Sequence, residues 1–277
     1  MNSRRIRMRY RKRDILVAMS LAILTLALAM VLNIGGLGIL PPRTLRGLAR
    51  SIVVNAYNPW NTTLTSYSLN AVSAVIWDYR GIDTIFETAV LMAAITGVAT
   101  ILRGITDAKE SRGRGMSIIV KSSTKIVVIL TLIGSASLSI HGHLTPGGGF
   151  QAGSAIAVTV SLIIIAFSLQ FLYRLGISRE LMLKIRYAAL VTILIIALVP
   201  LVLIVLGFGY AYILQNQVKE DSVFSMPSKF FTTPLAGTVF IFNVLETITV
   251  ASAITYAILT ILVYEGDKSS HVGGLNE

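Results

Sequence analysis

The sequence predicts an all-α integral membrane protein with six transmembrane helices and both termini on the cytoplasmic side. Three observations carry that prediction. Of 277 residues, 54% are hydrophobic and 13% are charged, whereas a soluble domain carries roughly 25% charged residues. The charge-free stretches are long: 15–42, 144–173 and 187–218 hold no charged residue, and 230–264 holds one, Glu246; roughly 20 apolar residues suffice to cross the hydrocarbon of a bilayer. Lys and Arg, finally, are distributed unevenly over the ends of those stretches, as the positive-inside rule expects.

Six segments follow in order: 15–37, 81–102, 120–141, 150–173, 187–209 and 234–264. The first follows the basic run Arg4–Arg13 and reads as an uncleaved helix rather than a signal peptide, because its apolar core is too long and no small-x-small site follows it. The second is apolar apart from Asp83 and Glu87, and the third apart from Lys121 and Lys125 near its start. The sixth is longer than a bilayer requires, so it is tilted, broken or extends into water. With the N-terminus inside, 18 of the 24 basic residues fall on the inner side. The net charge of +11 therefore orients helices on a lipid bilayer and is no nucleic-acid footprint. The chain has no cysteine, which excludes disulfides, thiol catalysis and iron–sulfur clusters within it; no cofactor is expected in this chain.

The sequence divides into residues 1–103, with two helices and a long outer connection over 41–80, a cytoplasmic linker over 104–117, and a four-helix domain with a short tail over 118–277. The outer connection is aromatic and polar (Tyr57, Trp60, Tyr67, Trp77), which suits a membrane interface. Asn61-Thr62-Thr63 is a glycosylation triplet of the kind that arises readily by chance.

Ionisable residues inside apolar segments are costly, about 2.5–3.5 kcal/mol each at the bilayer centre, and mark candidate function. Asp83 and Glu87 sit four apart, on one helix face. Such acids can bind a cation or relay protons; alternatively, Asp83 pairs with Arg80, or both acids favour the helix N-terminus. Glu246 lies deep in the sixth segment, three residues after Asn243, and Thr247, Thr249, Ser252 and Thr255 follow it. This stripe reads as part of an ion path, as a partner for another subunit, or as a hydrogen-bond clamp. His141 and His143 open the run His141-Gly-His-Leu-Thr-Pro-Gly-Gly-Gly-Phe150-Gln-Ala-Gly153. Proline and three glycines end a helix here, so the run forms a tight or partly re-entrant turn that protein must cover. A His beside a wet path can carry protons; two His without a third ligand do not make a metal site. Gly149 and Gly153 form a GxxxG step that lets their helix approach a neighbour closely.

His-x-x-x-x-Pro-Gly-Gly-Gly-Phe-x-x-Gly within a four-helix segment is similar to the signature of the MrpB/MnhB family, small subunits of multisubunit Mrp-type cation/proton antiporters. That resemblance covers about 118–265. Tyr79-Arg80-Gly81-Ile82-Asp83-Thr84-Ile85-Phe86-Glu87 resembles the C-terminal helices of the large MrpA subunit, so the chain looks like a fusion joined over 104–117. In membrane-bound hydrogenase and sulfane sulfur reductase complexes of archaea, the MrpA-like piece is a separate small subunit. The resemblance implies that Glu87 belongs to a cation or proton route between subunits, that Arg80, Gly81 and Asp83 share its motif, and that Pro146, Gly147, Gly148, Gly149, Phe150 and Gly153 are a structural hallmark. Family members usually carry an acid in the last helix in a Phe-Asp pattern. Here Phe242-Asn243 stands in that place and Glu246 follows one turn later; either the acid has moved along the same face or the route differs.

The leading expectation is a non-catalytic subunit that helps form a Na⁺ or H⁺ path in the cell membrane of a prokaryote, an archaeon by its composition. Its partners would be other Mrp-type subunits, with NiFe-hydrogenase-like and iron–sulfur subunits if the assembly is a redox-driven respiratory complex. A purely structural scaffold and a stand-alone transporter are the competing readings.

Overall fold

A computed structural model describes residues 2–35, 44–61, 63–102, 115–214, 222 and 226–273, with side chains described between 14 and 262. The proposed join over 104–117 is described only from Gly115, and Thr62 of the glycosylation triplet lies outside the described residues. Six of the described helices are long and apolar enough to cross a membrane, and their residue order matches the six expected segments.

The chain forms two units, Met1–Ala49 and Arg50–Glu277. Helix α1 (Asn2–Asn33) belongs to the first. Its membrane-length part, Asp14–Asn33, buries none of its side chains, and its hydroxyls bond to its own backbone, Ser20 to the Leu16 carbonyl and Thr25 to that of Leu21.

In chain order there follow α2 (Gly47–Ala56), α3 (Ala71–Ala74), a π-helical turn (Val75–Tyr79), α4 (Gly81–Ile101), α5 (Ile118–Ile140), α6 (Gly149–Ala166), α7 (Leu169–Arg174) and α8 (Arg179–Val205). A short antiparallel pair, β1 (Lys229–Phe230) and β2 (Thr233–Pro234), then leads into α9 (Thr238–Gly273). The outer connection is thus partly helical. Asn70 starts α3 by accepting from the Val72 N–H, a short polar cap that hydropathy does not register.

The expected helix ends shift for identifiable reasons. The fourth segment stops at Ala166 and restarts as α7, where Ser168 caps the new turn. The fifth begins two turns before the apolar run, because Ser178 caps it and Glu180 pairs with Lys184 at 2.7 Å; charged turns can be helical without being apolar. The sixth begins after Pro234, which the β2 pairing engages, and it continues as helix well past the apolar residues to Gly273.

Within the second unit, α9 is the central helix. It packs against α6, α8, α4 and α5, and most of its apolar span is buried. Around its first turns Trp77, Ile85, Ile193, Ala197, Leu214, Val239 and Phe242 form one core, with the Trp77 and Phe242 rings stacked at 4.9 Å. Between helices in a membrane, packing and hydrogen bonds drive association, since lipid is as apolar as leucine. The polar stripe of α9 accordingly faces inward: Asn243, Glu246, Thr247, Thr249, Ser252, Thr255 and Thr260 are all buried.

Candidate functional site

The Pro-Gly-Gly-Gly-Phe turn sits between the end of α5 and the start of α6, and the outer connection covers it. Asn70 donates through Nδ2 to the carbonyls of Gly142 (2.7 Å) and Thr145 (3.0 Å). Ser73 donates to the same Gly142 carbonyl at 2.6 Å. The His143 carbonyl accepts from the Asn70 N–H at 3.0 Å and from Ser68 Oγ at 2.9 Å. The carbonyls freed by breaking the helix are thereby satisfied within protein, as backbone away from water must be.

Two glycines at the start of α6, Gly149 and Gly153, are where α9 comes closest. A Cβ on Gly149 would lie 2.5 Å from the Asn243 carbonyl oxygen and 2.5 Å from Glu246 Oε2. On Gly153 it would lie 2.7 Å from Val250 Cβ and 2.8 Å from the Thr247 carbonyl oxygen. The GxxxG step therefore selects α9 as its neighbour. It also sets the carboxylate of Glu246 on the first turn of α6, where the Phe150 backbone N–H donates to it. First-turn N–H groups lack intrahelical acceptors, and the helix dipole favours negative charge there. At Gly149 the start of α6 thus lies directly against the buried acid of α9.

Glu246 is 6% exposed, eight residues into α9 and so about 12 Å along its axis. Glu87, on α4, is close enough for its charge to act on Glu246. Unlike Glu246 it is exposed on the surface of the chain. One acid thus lies inside the bundle and the other on its flank. A buried carboxylate needs a proton, a cation or hydrogen bonds to compensate its charge, and an exposed one a helical turn or more inside a span needs a wet or protein-covered neighbourhood.

The other residues singled out in the sequence divide. Asp83 is exposed and bound to Arg80, at 2.6 Å between Nη2 and Oδ2; it does not join Glu246. Gly81 packs against Leu214, whose Cδ1 lies 2.6 Å from where its Cβ would stand. His141 ends α5 and is exposed, as are Pro146 and Phe150. Gly147 and Gly148 close the turn beside Leu138 and Gln151. Asn243 is 1% exposed and accepts from Trp77 Nε1 at 3.1 Å. His143 is buried, lies edge-on to Phe240, and contacts the Pro234 carbonyl oxygen through Nε2 at 2.9 Å. That oxygen can only accept, so Nε2 carries the proton. Burial, and to a smaller extent the nearby His141, hold the His143 pKa below its ordinary 6.5 against the opposing bond to Pro234. Among the described residues, His143 Nδ1 and Asn243 Nδ2 have no hydrogen-bond partner, and Asn243 Nδ2 faces Gly142, the neighbour of His143. A free acceptor and a free donor thus lie at one turn, one helical turn from Glu246. Next to the Arg80 motif, Tyr79 is held protonated by burial and by the charge of Asp78, its pKa pushed up to about 12.

Two residues escaped the sequence reading. Trp77 reads as an interface aromatic, yet it is fully buried and ties the π-helical turn to α9; the signal was its place directly before the Tyr79–Glu87 motif. Arg186 counts in sequence as a loop charge, yet it is 1% exposed; the signal was that the apolar run of α8 starts on the very next residue.

Residues 119–256 match the model of a family described as a domain related to the MnhB subunit of Na⁺/H⁺ antiporter. An uncharacterized protein of Methanocaldococcus jannaschii is 35% identical over 123 residues, covering 38% of this chain and 47% of that protein. The chain thus spans about half the length of this curated relative. Among solved structures, a chain of the membrane-bound sulfane sulfur reductase, an archaeal respiratory membrane complex, superposes with a TM-score of 0.58 at 23% identity, over 89% of this chain and 98% of that one. A chain of the Mrp complex from Dietzia sp. DQ12-45-1b gives 0.56 at 19% identity, over 91% of this chain and 26% of that one. Both are likenesses of fold, and both extend well beyond 119–256, taking in helices ahead of the MnhB-related domain.

Proposed function

We propose that this chain is a non-catalytic membrane subunit of a cation/proton antiporter module within a respiratory complex, and that Glu246 and Glu87 are its part of the ion path. The observation that carries the reading is Glu246 itself: a carboxylate 6% exposed inside a membrane-length helix, seated on the first turn of α6 and within electrostatic reach of an acid on the flank. A proton or Na⁺ bound at Glu246 passes to Glu87 and from there to a neighbouring subunit. The path runs sideways, because Glu87 faces out of the bundle. His143 and Asn243 supply a neutral proton acceptor and a donor at the turn beside it. The MnhB-related domain and the fold of the two complexes support the module; the archaeal relative supports a prokaryotic cell membrane as its place.

On this reading the segment through α4 is an MrpA-like C-terminal piece joined to the MnhB-related domain, and the partners are other antiporter subunits, with hydrogenase-like and iron–sulfur subunits in a redox-driven assembly. Glu246→Gln and Glu87→Gln, introduced into the intact complex, are expected to abolish cation/proton exchange without loss of assembly. Unchanged exchange in both variants would favour the scaffold reading, in which the bond from Phe150 to Glu246 is a clamp between α6 and α9. Ion flux through the purified chain reconstituted without partners would overturn the subunit reading.

A further inference from the structure

At the opposite end of the bundle from Glu246, a buried cation is left without a counter-charge. Arg186 of α8 is 1% exposed. Its Nη2 donates to Thr96 Oγ1 of α4 at 3.0 Å and contacts Tyr187 Oη at 3.4 Å. Its guanidinium carbon stands 4.7 Å from the ring centre of Tyr256, on α9, and 5.0 Å from that of Tyr187. Three helices thus converge on one charge. Among the described residues no carboxylate lies within 4.0 Å of it, and Nε and Nη1 have no partner. The acid next to it in sequence, Glu180, is exposed and engaged by Lys184. Aromatic faces attract a guanidinium but do not neutralise it, and a buried charge calls for an opposite one.

We propose that Arg186, with the hydroxyl of Tyr187, binds the phosphate of an anionic lipid headgroup. Depth is the first argument. The charge-free stretch of α8 begins at the next residue, while Arg179, Glu180 and Lys184 precede it, so Arg186 lies where hydrocarbon gives way to headgroups. Tyr256 is ten residues beyond Glu246 on α9, about 15 Å along the axis, which separates this site from the acid pair. Access is the second argument. Thr96 and Tyr187 are both exposed on the membrane-facing surface, and Gly97 leaves open space beside Thr96, with nothing within 4 Å of where its Cβ would stand. Chemistry is the third. A planar guanidinium with Nε and Nη1 unpartnered, beside the Tyr187 hydroxyl, matches the several acceptor oxygens of a phosphate, and the basic residues of this end, Arg174, Arg179 and Lys184, raise the local concentration of anionic lipid.

The test uses the full chain purified in detergent, with bound lipid counted by native mass spectrometry against phosphatidylglycerol, phosphatidylcholine and inorganic phosphate. Wild type is expected to hold one phosphatidylglycerol about tenfold more tightly than phosphatidylcholine, a preference that Arg186→Met abolishes while the surface change Lys184→Met leaves it intact. Tyr187→Phe keeps the guanidinium and is expected to weaken binding severalfold, so it decides the matter should Arg186→Met fail to fold. Equal retention of phosphatidylglycerol by wild type and these variants would overturn the proposal. So would displacement of phosphatidylglycerol by inorganic phosphate that itself binds as tightly, since that outcome assigns the site to a free ion.

Discussion

Helix α1 buries no side chain along Asp14–Asn33, whereas α9 buries most of Thr238–Leu262. Both are long and apolar enough to cross a membrane, yet Asp14–Asn33 of α1 carries two hydroxyls, each bonded to its own backbone, and α9 carries a continuous inward stripe of hydroxyls with an amide and a carboxylate. In lipid, apolar surface gains little from burial, so small and polar residues decide which helix becomes the centre. Helix α9 illustrates the hydroxyl part directly: Thr247 donates its one proton to the Asn243 carbonyl and is hydrogen-bonded to Ser139 Oγ of α5, which can donate to it, both at 2.8 Å.

The contrast can be broken where the packing is closest. Gly149→Val places a side chain against the Asn243 carbonyl oxygen and Glu246 at 2.5 Å, where backbone cannot yield. A loss of about 3 kcal/mol in an unfolding titration is expected. The matching change in α1, Ala27→Val on an exposed position, is expected to stay within about 0.5 kcal/mol. Equal losses would remove the distinction between the two helices. Trp77→Phe comes next. It keeps most of the stack on Phe242 but leaves the buried Asn243 oxygen without its donor, at an expected cost of about 1–3 kcal/mol by the same titration.

A pH series sharpens the turn itself. His143 has a folded pKa below 6.5, so the unfolded chain binds the proton more readily. The stability tied to the neutral ring is full above pH 6.5 and is lost as pH falls below it, towards the folded pKa. Thermal midpoints measured from pH 8 to pH 5 are expected to fall in wild type, with that part of the slope absent in His143→Gln. The smallest effect belongs to the flank. Asp83→Asn breaks an ion pair whose side chains are 71% and 59% exposed, and thermal unfolding is expected to register less than about 1 kcal/mol.

Most of the fold was legible in the sequence because lipid imposes a length on apolar helices, and the turn was legible because Pro146 and its glycines cannot continue one. Glu246 and Glu87 stood out by rarity among apolar residues. The seat of Glu246 was not legible, since it depends on Gly149 letting α9 sit on the first turn of α6, a contact between residues nearly a hundred positions apart. For Asp83 the sequence left an ion-path role and a pair with Arg80 open; the geometry shows the pair. Nor does charge counting tell a loop arginine from a buried one, which is why Arg186 emerged only from its neighbours.

The central claim is that the buried acid of α9 carries the ion. The direct measurement is Na⁺-driven proton movement, followed with a pH-sensitive dye in vesicles holding the assembled complex with Glu246→Gln. Exchange should fall at least about tenfold, as expected when a charge required on the path is removed, while Asp83→Asn retains it. Full exchange by an intact Glu246→Gln complex would contradict the account.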